Sequence, residues 1–358
     1  MTLTACGGGG SKSSNKGSSG GQVQTSGGSP SAQVDSAISK LGSASSIEMA
    51  LSLPISPSDL QKLSDTDPSS KLTTQEAQAI TSGSFFVIVG SGNGKSLSSA
   101  KTDPNNSLDV GVTTSGDTPF EVRYVGQNIY LHVQISKLLS DAGQDPSKAS
   151  SFTSEAGQLD TYVPGLSALI QGNWVEISHS SLQALEAPLK NLENQFGGSS
   201  GSSSSSSVPG TPSLQQELQL ESQVLGALKS NSTITSLGSS NGRQGYSVTV
   251  QVANFLKAVG PQIESTFSTI PKEGQQIQKS LQQAESQLPP GQTATADVYI
   301  SNGSLSEIDI DLNQFDHKQS FAIPLRISLS SPGAPSAPSG ATPIDTSKLP
   351  SLLSSGGL

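Results

Sequence analysis

An α+β fold is predicted for this 358-residue chain on three observations. Short runs in which apolar and polar residues alternate recur along its length, as strands with one buried face require. Segments with apolar residues three and four apart fall between them, the spacing of amphipathic helices. Several alternating runs also follow one another closely enough to pair as antiparallel neighbours, and such sheets present one apolar and one polar face.

The elements follow in order. Val34, Ala37, Ile38 and Leu41 mark a helix from Ala32 to Leu41, stopped by Gly42. Ile47, Met49, Leu51 and Leu53 alternate with polar or small neighbours until Pro54 and Pro57. Phe85 to Val89 is continuously apolar, which predicts a strand covered on both sides, and Leu108, Val110 and Val112 alternate again. Phe120, Val122 and Tyr124, then Ile129, Leu131 and Val133, flank Gly126-Gln127-Asn128 and predict a hairpin. A helix over Ile135 to Ala142 leaves the second strand, a helix interrupted at Pro164 covers Leu159 to Ile170, and Asn173 to Ser178 reads as a short strand. Helices are expected over Ser181 to Phe196 and Leu214 to Lys229, a strand over Tyr246 to Val252, and mostly helix from Phe255 to about Leu288. Ala296 to Ile300, Leu305 to Leu312 and Phe321 to Leu329 predict three closing strands.

Composition places the boundaries. Charged residues make up 13% of the chain against about 25% in globular domains, and the shortfall is concentrated at the ends and in one internal run. Residues 1–31 are rich in Gly and Ser and read as a flexible tether. Residues 32–330 form one domain that contains a Ser- and Gly-rich linker at 197–213, and residues 331–358 are expected to be disordered. The excess of 28 acidic over 19 basic residues, with no basic patch, excludes nucleic acid as a partner. No stretch reaches the length of a spanning helix.

No motif carries enzymatic chemistry. Gly90-Ser91-Gly92-Asn93-Gly94-Lys95-Ser96 imitates a phosphate-binding loop, but Val89 stands where its first Gly belongs and a strand follows in place of a helix. Its Asn93-Gly94 is a turn signal. Gly-x-Ser-x-Gly occurs around Ser19, Ser199 and Ser240 without the strand and helix that would strain the turn. His132, His179 and His317 lack partners at metal or triad spacing, and Asp309 to Asn313 begins like a calcium loop but has Gln314 in the Gly position. No cofactor, metal or catalytic residue is expected.

The lone cysteine, Cys6, lies in Leu3-Thr4-Ala5-Cys6, which resembles a bacterial lipobox, where the thiol receives lipid. Only five residues precede it, so the basic and apolar parts of an export signal are expected upstream of Met1. The order of the strands, carried by Phe120 to Val133, Asn173 to Ser178 and Asp297 to Leu312, resembles the LolA/LppX-like lipoproteins of the LppX and LprG type. That resemblance implies a curved antiparallel half-barrel with helices on its concave face and an apolar cavity between them. It also implies a non-catalytic lipoprotein, held through Cys6 on the extracytoplasmic face of the cell membrane, that binds or carries lipid or another hydrophobic ligand. The cavity is expected to draw on Leu51, Val110, Val122, Leu131, Trp174, Val250, Ile310 and Leu325. The alternative is an envelope lipoprotein with a filled core whose surface engages another protein.

Overall fold

The computed structural model describes residues 28–65, 71–100, 103–160, 163–184, 223–224, 226–267, 288–289, 291–316 and 319–346, with isolated positions between 276 and 286. Cys6, the linker 197–213, His317 and most of the helices expected at 181–196 and 214–229 lie outside these residues. The strands are β1 (Ser46–Ser52), β2 (Ser84–Gly90), β3 (Ser107–Thr114), β4 (Asp117–Val125), β5 (Asn128–Val133), β6 (Val175–Ile177), β7 (Ser232–Ser240), β8 (Arg243–Gln251), β9 (Thr293–Ser301), β10 (Ser304–Asp311), β11 (Pro324–Ser330) and β12 (Thr342–Pro343). Helices α1 (Pro30–Gly42), α2 (Pro57–Ser64), α3 (Thr74–Ser82), α4 (Ile135–Asp141), α5 (Ala149–Leu159), α6 (Leu166–Ile170), α7 (Val252–Phe267) and α8 (Asn313–Asp316) complete the α+β fold.

All twelve strands join one curved, unclosed sheet in the order β12-β6-β5-β4-β3-β2-β1-β11-β10-β9-β8-β7. Every pairing is antiparallel except that of β12 with β6. Local sequence makes the hairpins. Ser115-Gly116, Gly126-Gln127, Asn241-Gly242 and Asn302-Gly303 each place two consecutive residues at positive φ. This is the two-residue turn whose twist matches that of the flanking strands, and Gly and Asn tolerate it best. The centre of the sheet is made by distant parts of the chain, where β1 lies between β2 and β11.

Helix starts are written just as locally. Ser29 caps α1, its Oγ accepting from the Ala32 amide at 3.3 Å, with Pro30 in the first turn. Thr73 and Glu76 form a capping box at α3, each side chain accepting from the other residue's backbone amide. The break predicted at Pro164 is real, because Gly165 takes φ 95° between α5 and α6.

Cross-strand register fixes the two faces. One row runs from Tyr246 through Val298, Ile308 and Ile327 to Leu51, and on through Phe85, Val112 and Phe120 to Val133. Paired residues point the same way, so these strands share one apolar face. The opposite face carries Asp297, Glu307, Asp309, Arg326, Glu48, Asp109, Glu121 and Arg123. The buried core is small and lies on the apolar face, where Val34 and Ala37 of α1 meet Tyr246, Val248, Val298, Ile300 and Leu305.

Three expectations are corrected. The strand at 84–90 is not covered on both sides: Phe86 is buried on the polar face, whereas Phe85 and Val89 on the apolar face are exposed. β7 has no counterpart in the predicted elements, since Ser232–Ser240 carries only Ile234 and Leu237 as large apolar residues and shows no alternation. The tail from 331 onward, expected to be disordered, runs back along the sheet as far as Thr346, with Ile344 and Thr346 buried and β12 paired to β6.

Candidate functional site

The apolar face is only partly covered by described residues, and two recesses open on it. The larger, about 820 Å³, lies where α1 stands off β7 to β10 and α8, with Val34, Ile38, Ile234, Val250, Ile310 and Phe315 in its walls. The smaller, about 410 Å³, lies between α3 and strands β1 to β3, with Leu51, Ile80, Phe85, Val112 and Leu325 around it. Between and beside them Met49, Val89, Leu108 and Phe120 remain more than a third exposed. Large contiguous apolar surface of this kind marks a place where something binds, and the larger recess has the size and lining of a small-molecule site.

Among the described residues α1 and α3 cover only part of the apolar face of the twelve-stranded sheet, and the only buried cluster of the described residues forms under α1. The two ionisable residues lining the larger recess, Asp35 and Lys229, pair with each other at 2.6 Å at its edge. Among the described residues no nucleophile and base meet there, and the recess offers apolar contact and shape.

The residues expected at the cavity separate into three groups. Val250 and Ile310 line the larger recess, and Leu51 and Leu325 the smaller. Val110, Val122 and Leu131 stand side by side in register on the same apolar face, outside both linings. Trp174 stands on the opposite face, stacked on His132 with ring centres 5.1 Å apart and beneath the Arg123 guanidinium at 4.8 Å.

Sequence reasoning missed the polar cluster around that tryptophan. Asp109 of β3 and Glu121 and Arg123 of β4 are buried or half-buried, with Arg123 Nε 3.0 Å from Asp109 Oδ2 and Nη2 2.5 Å from Glu121 Oε1. One cation serves two carboxylates. Loss of hydration, reinforced by the charge of Glu121, pushes the Asp109 carboxyl up to about 7, against the opposing pull of Arg123. Asp109 Oδ1 and His132 Nδ1 are buried without a hydrogen-bond partner. The available signal was charge at alternate positions of paired strands, which reads equally well as an ordinary solvent face.

The other motifs settle as structure. Asn93 Oδ1 accepts from the Ser91 hydroxyl and the Lys95 amide, closing a turn. Asp309 takes a bidentate Arg326, and Asp311 Oδ1 accepts from the Asn313 and Ile323 amides. Ser240 ends β7 at a hairpin. His179 contacts Gln183 Nε2 at 3.0 Å. Among the described residues no three His, Cys, Asp or Glu side chains gather to hold a metal ion, and no helix is long and apolar enough to cross a membrane.

No family model matches this chain, and no curated protein resembles it significantly in sequence. Among solved structures it is similar to the lipoprotein LppX of Mycobacterium tuberculosis, with 11% identity, 86% of this chain and 97% of that chain covered, and a TM-score of 0.30. It is likewise similar to LprF of Mycobacterium bovis, with 11% identity, coverage of 87% and 97%, and a TM-score of 0.31. Superpositions this loose carry no weight for ligand or mechanism, and the fold class stands on the sheet described above.

Proposed function

We propose that the protein is a non-catalytic, extracytoplasmic lipoprotein, attached to the cell membrane through a lipid on Cys6, that binds or carries a lipid or another hydrophobic ligand on its apolar sheet face. The observation that supports this reading is the recess of about 820 Å³ beside α1, walled mainly by aliphatic side chains and continuous in register with exposed Phe85 and Phe120. Apolar area removed from water contributes roughly 25 cal/mol per Å², so a long-chain amphiphile gains most where such a wall is already formed. Among the described residues the recess stays open, which supports a carrier over an envelope protein whose core is filled.

Organic extracts of the protein purified without detergent, analysed by mass spectrometry, test the ligand. A co-purifying amphiphile is expected. An empty protein that also fails to bind a fluorescent fatty acid would sink the carrier reading. For the anchor, Cys6→Ser expressed behind a lipoprotein export signal should move the protein from the membrane to the soluble fraction, and an unchanged distribution would count against lipidation.

A further inference from the structure

Residues 331–338 read Ser-Pro-Gly-Ala-Pro-Ser-Ala-Pro. Pro332, Pro335 and Pro338 are each half-buried, and every residue between them is exposed. A burial repeat of three matches neither a strand nor an α-helix. It is the repeat of a polyproline II helix, in which each third residue shares one edge, and proline stiffens the segment before it docks by fixing φ.

The seat for this strap lies on the polar face of the sheet. A Cβ on Gly90, the last residue of β2, would fall 2.6 Å from the Ala334 Cβ and 2.8 Å from the Pro335 Cδ, so the missing side chain is the notch in which the strap lies. Arg123 Nη1 donates to the Ser336 carbonyl at 3.2 Å. Its guanidinium is held by Asp109 and Glu121 and faces Trp174, which His132 backs. Farther along, the Thr342 amide donates to the Trp174 carbonyl and the Ile344 amide to that of Glu176. The Gly90 notch receives the strap's backbone, Arg123 reaches one of its peptide carbonyls, and Trp174 lies farther along the same groove.

We propose that the groove from Gly90 to Trp174 is a polyproline-binding site which the chain fills with its own strap, and which takes the same segment from a second copy of the chain. Between Ser330 and Thr342 the strap belongs to no ladder, and β12 pairs over only two residues. The stretch from Ser331 to Ala341 is held by scattered contacts, so exchange turns on release of the end beyond it, where Ile344 and Thr346 are buried and the Asp345 amide donates to the Pro164 carbonyl. A released strap meets an identical groove on a second molecule, the exchange of equivalent elements that makes dimers at low cost. Within one molecule the strap acts at an effective concentration in the millimolar range, so exchange grows as the protein is concentrated.

The probe is a fluorescent peptide of residues 331–346 added to the full chain and followed by anisotropy. It is expected to bind a strap-loosened chain, Pro332→Gly with Pro335→Gly and Pro338→Gly, at least ten-fold more tightly than the wild type. Gly90→Leu in that background is expected to remove the binding. Equal binding to loosened and wild-type chains, or binding indifferent to Gly90→Leu, overturns the groove. If the loosened chain does not keep its sheet by circular dichroism, hydrogen exchange of the wild type decides: millimolar unlabelled peptide should lower protection of the Thr342 and Ile344 amides, and unchanged protection counts against the proposal. Two differently labelled batches of full chain mixed at high concentration should show energy transfer that Gly90→Leu abolishes. Peptide binding without such transfer overturns exchange between copies and assigns the groove to a proline-rich partner.

Discussion

Replacing Asp109 with Asn should flatten the dependence of stability on pH. In the native protein the carboxyl titrates near 7, raised from the ordinary 3.8 by burial and by Glu121. The folded state therefore holds a proton that the unfolded chain has already released between about pH 4 and 7. Since stability falls with pH wherever the native state binds more protons, this group stabilises the fold fully at the acid end, and the contribution is lost as pH rises through 7. About three powers of ten in proton affinity set a ceiling of roughly 4 kcal/mol, and relaxation of Arg123 toward the ionised pair brings the expected loss down to about 1–3 kcal/mol. Urea unfolding of wild type and Asp109→Asn at intervals from pH 4.5 to 8.5 measures it. The difference between the two curves removes the other carboxylates, and Asn, neutral and nearly isosteric, should make the variant relatively more stable above pH 7. Parallel curves across that range would refute the assignment of a retained proton to this pair.

Other perturbations test the recess wall and the packing beside it. Ala296→Trp, placed in the wall of the larger recess, should weaken binding of a fluorescent fatty acid at least ten-fold while leaving the circular dichroism spectrum unchanged. Undiminished binding would move the ligand elsewhere on the face. Val298→Ala removes two methyl groups from the cluster under α1, where Val298 also borders the larger recess, and should cost about 1–3 kcal/mol in urea unfolding. Thr73→Ala leaves the capping box of α3 half made and should cost about 1 kcal/mol by the same measurement; a null effect would mean that water replaces the hydroxyl without penalty.

Much of the sheet was legible because β-structure with one apolar face has period 2, and Leu51, Val110, Val122, Leu131, Val250 and Ile310 all fall on that face. Trp174 did not follow: alternation with Val175 and Ile177 puts it with Glu176 on the polar face, where Arg123 and His132 take its ring. Strand β7 escaped because its pairing with β8 supplies backbone hydrogen bonds that need no apolar side chains. The strap escaped for a related reason. Its Pro-, Ser- and Gly-rich composition is that of a chain that cannot form a core of its own, yet it needs none when it lies in a groove already made.

By itself the sequence determined the local grammar of this protein: the helix caps, the turns with Gly or Asn at positive φ, and the apolar side of most of its strands. These are set by neighbours within a few residues, so they survive reading in one dimension. Only the tertiary structure decided that β1 sits between β2 and β11, that two recesses open on the apolar face among the described residues, and that Asp109, Arg123, Trp174 and Ser336 meet. Those outcomes depend on contacts between residues up to 282 positions apart, where the sheet's curvature and the room left by Gly90, not local propensity, settle what touches what.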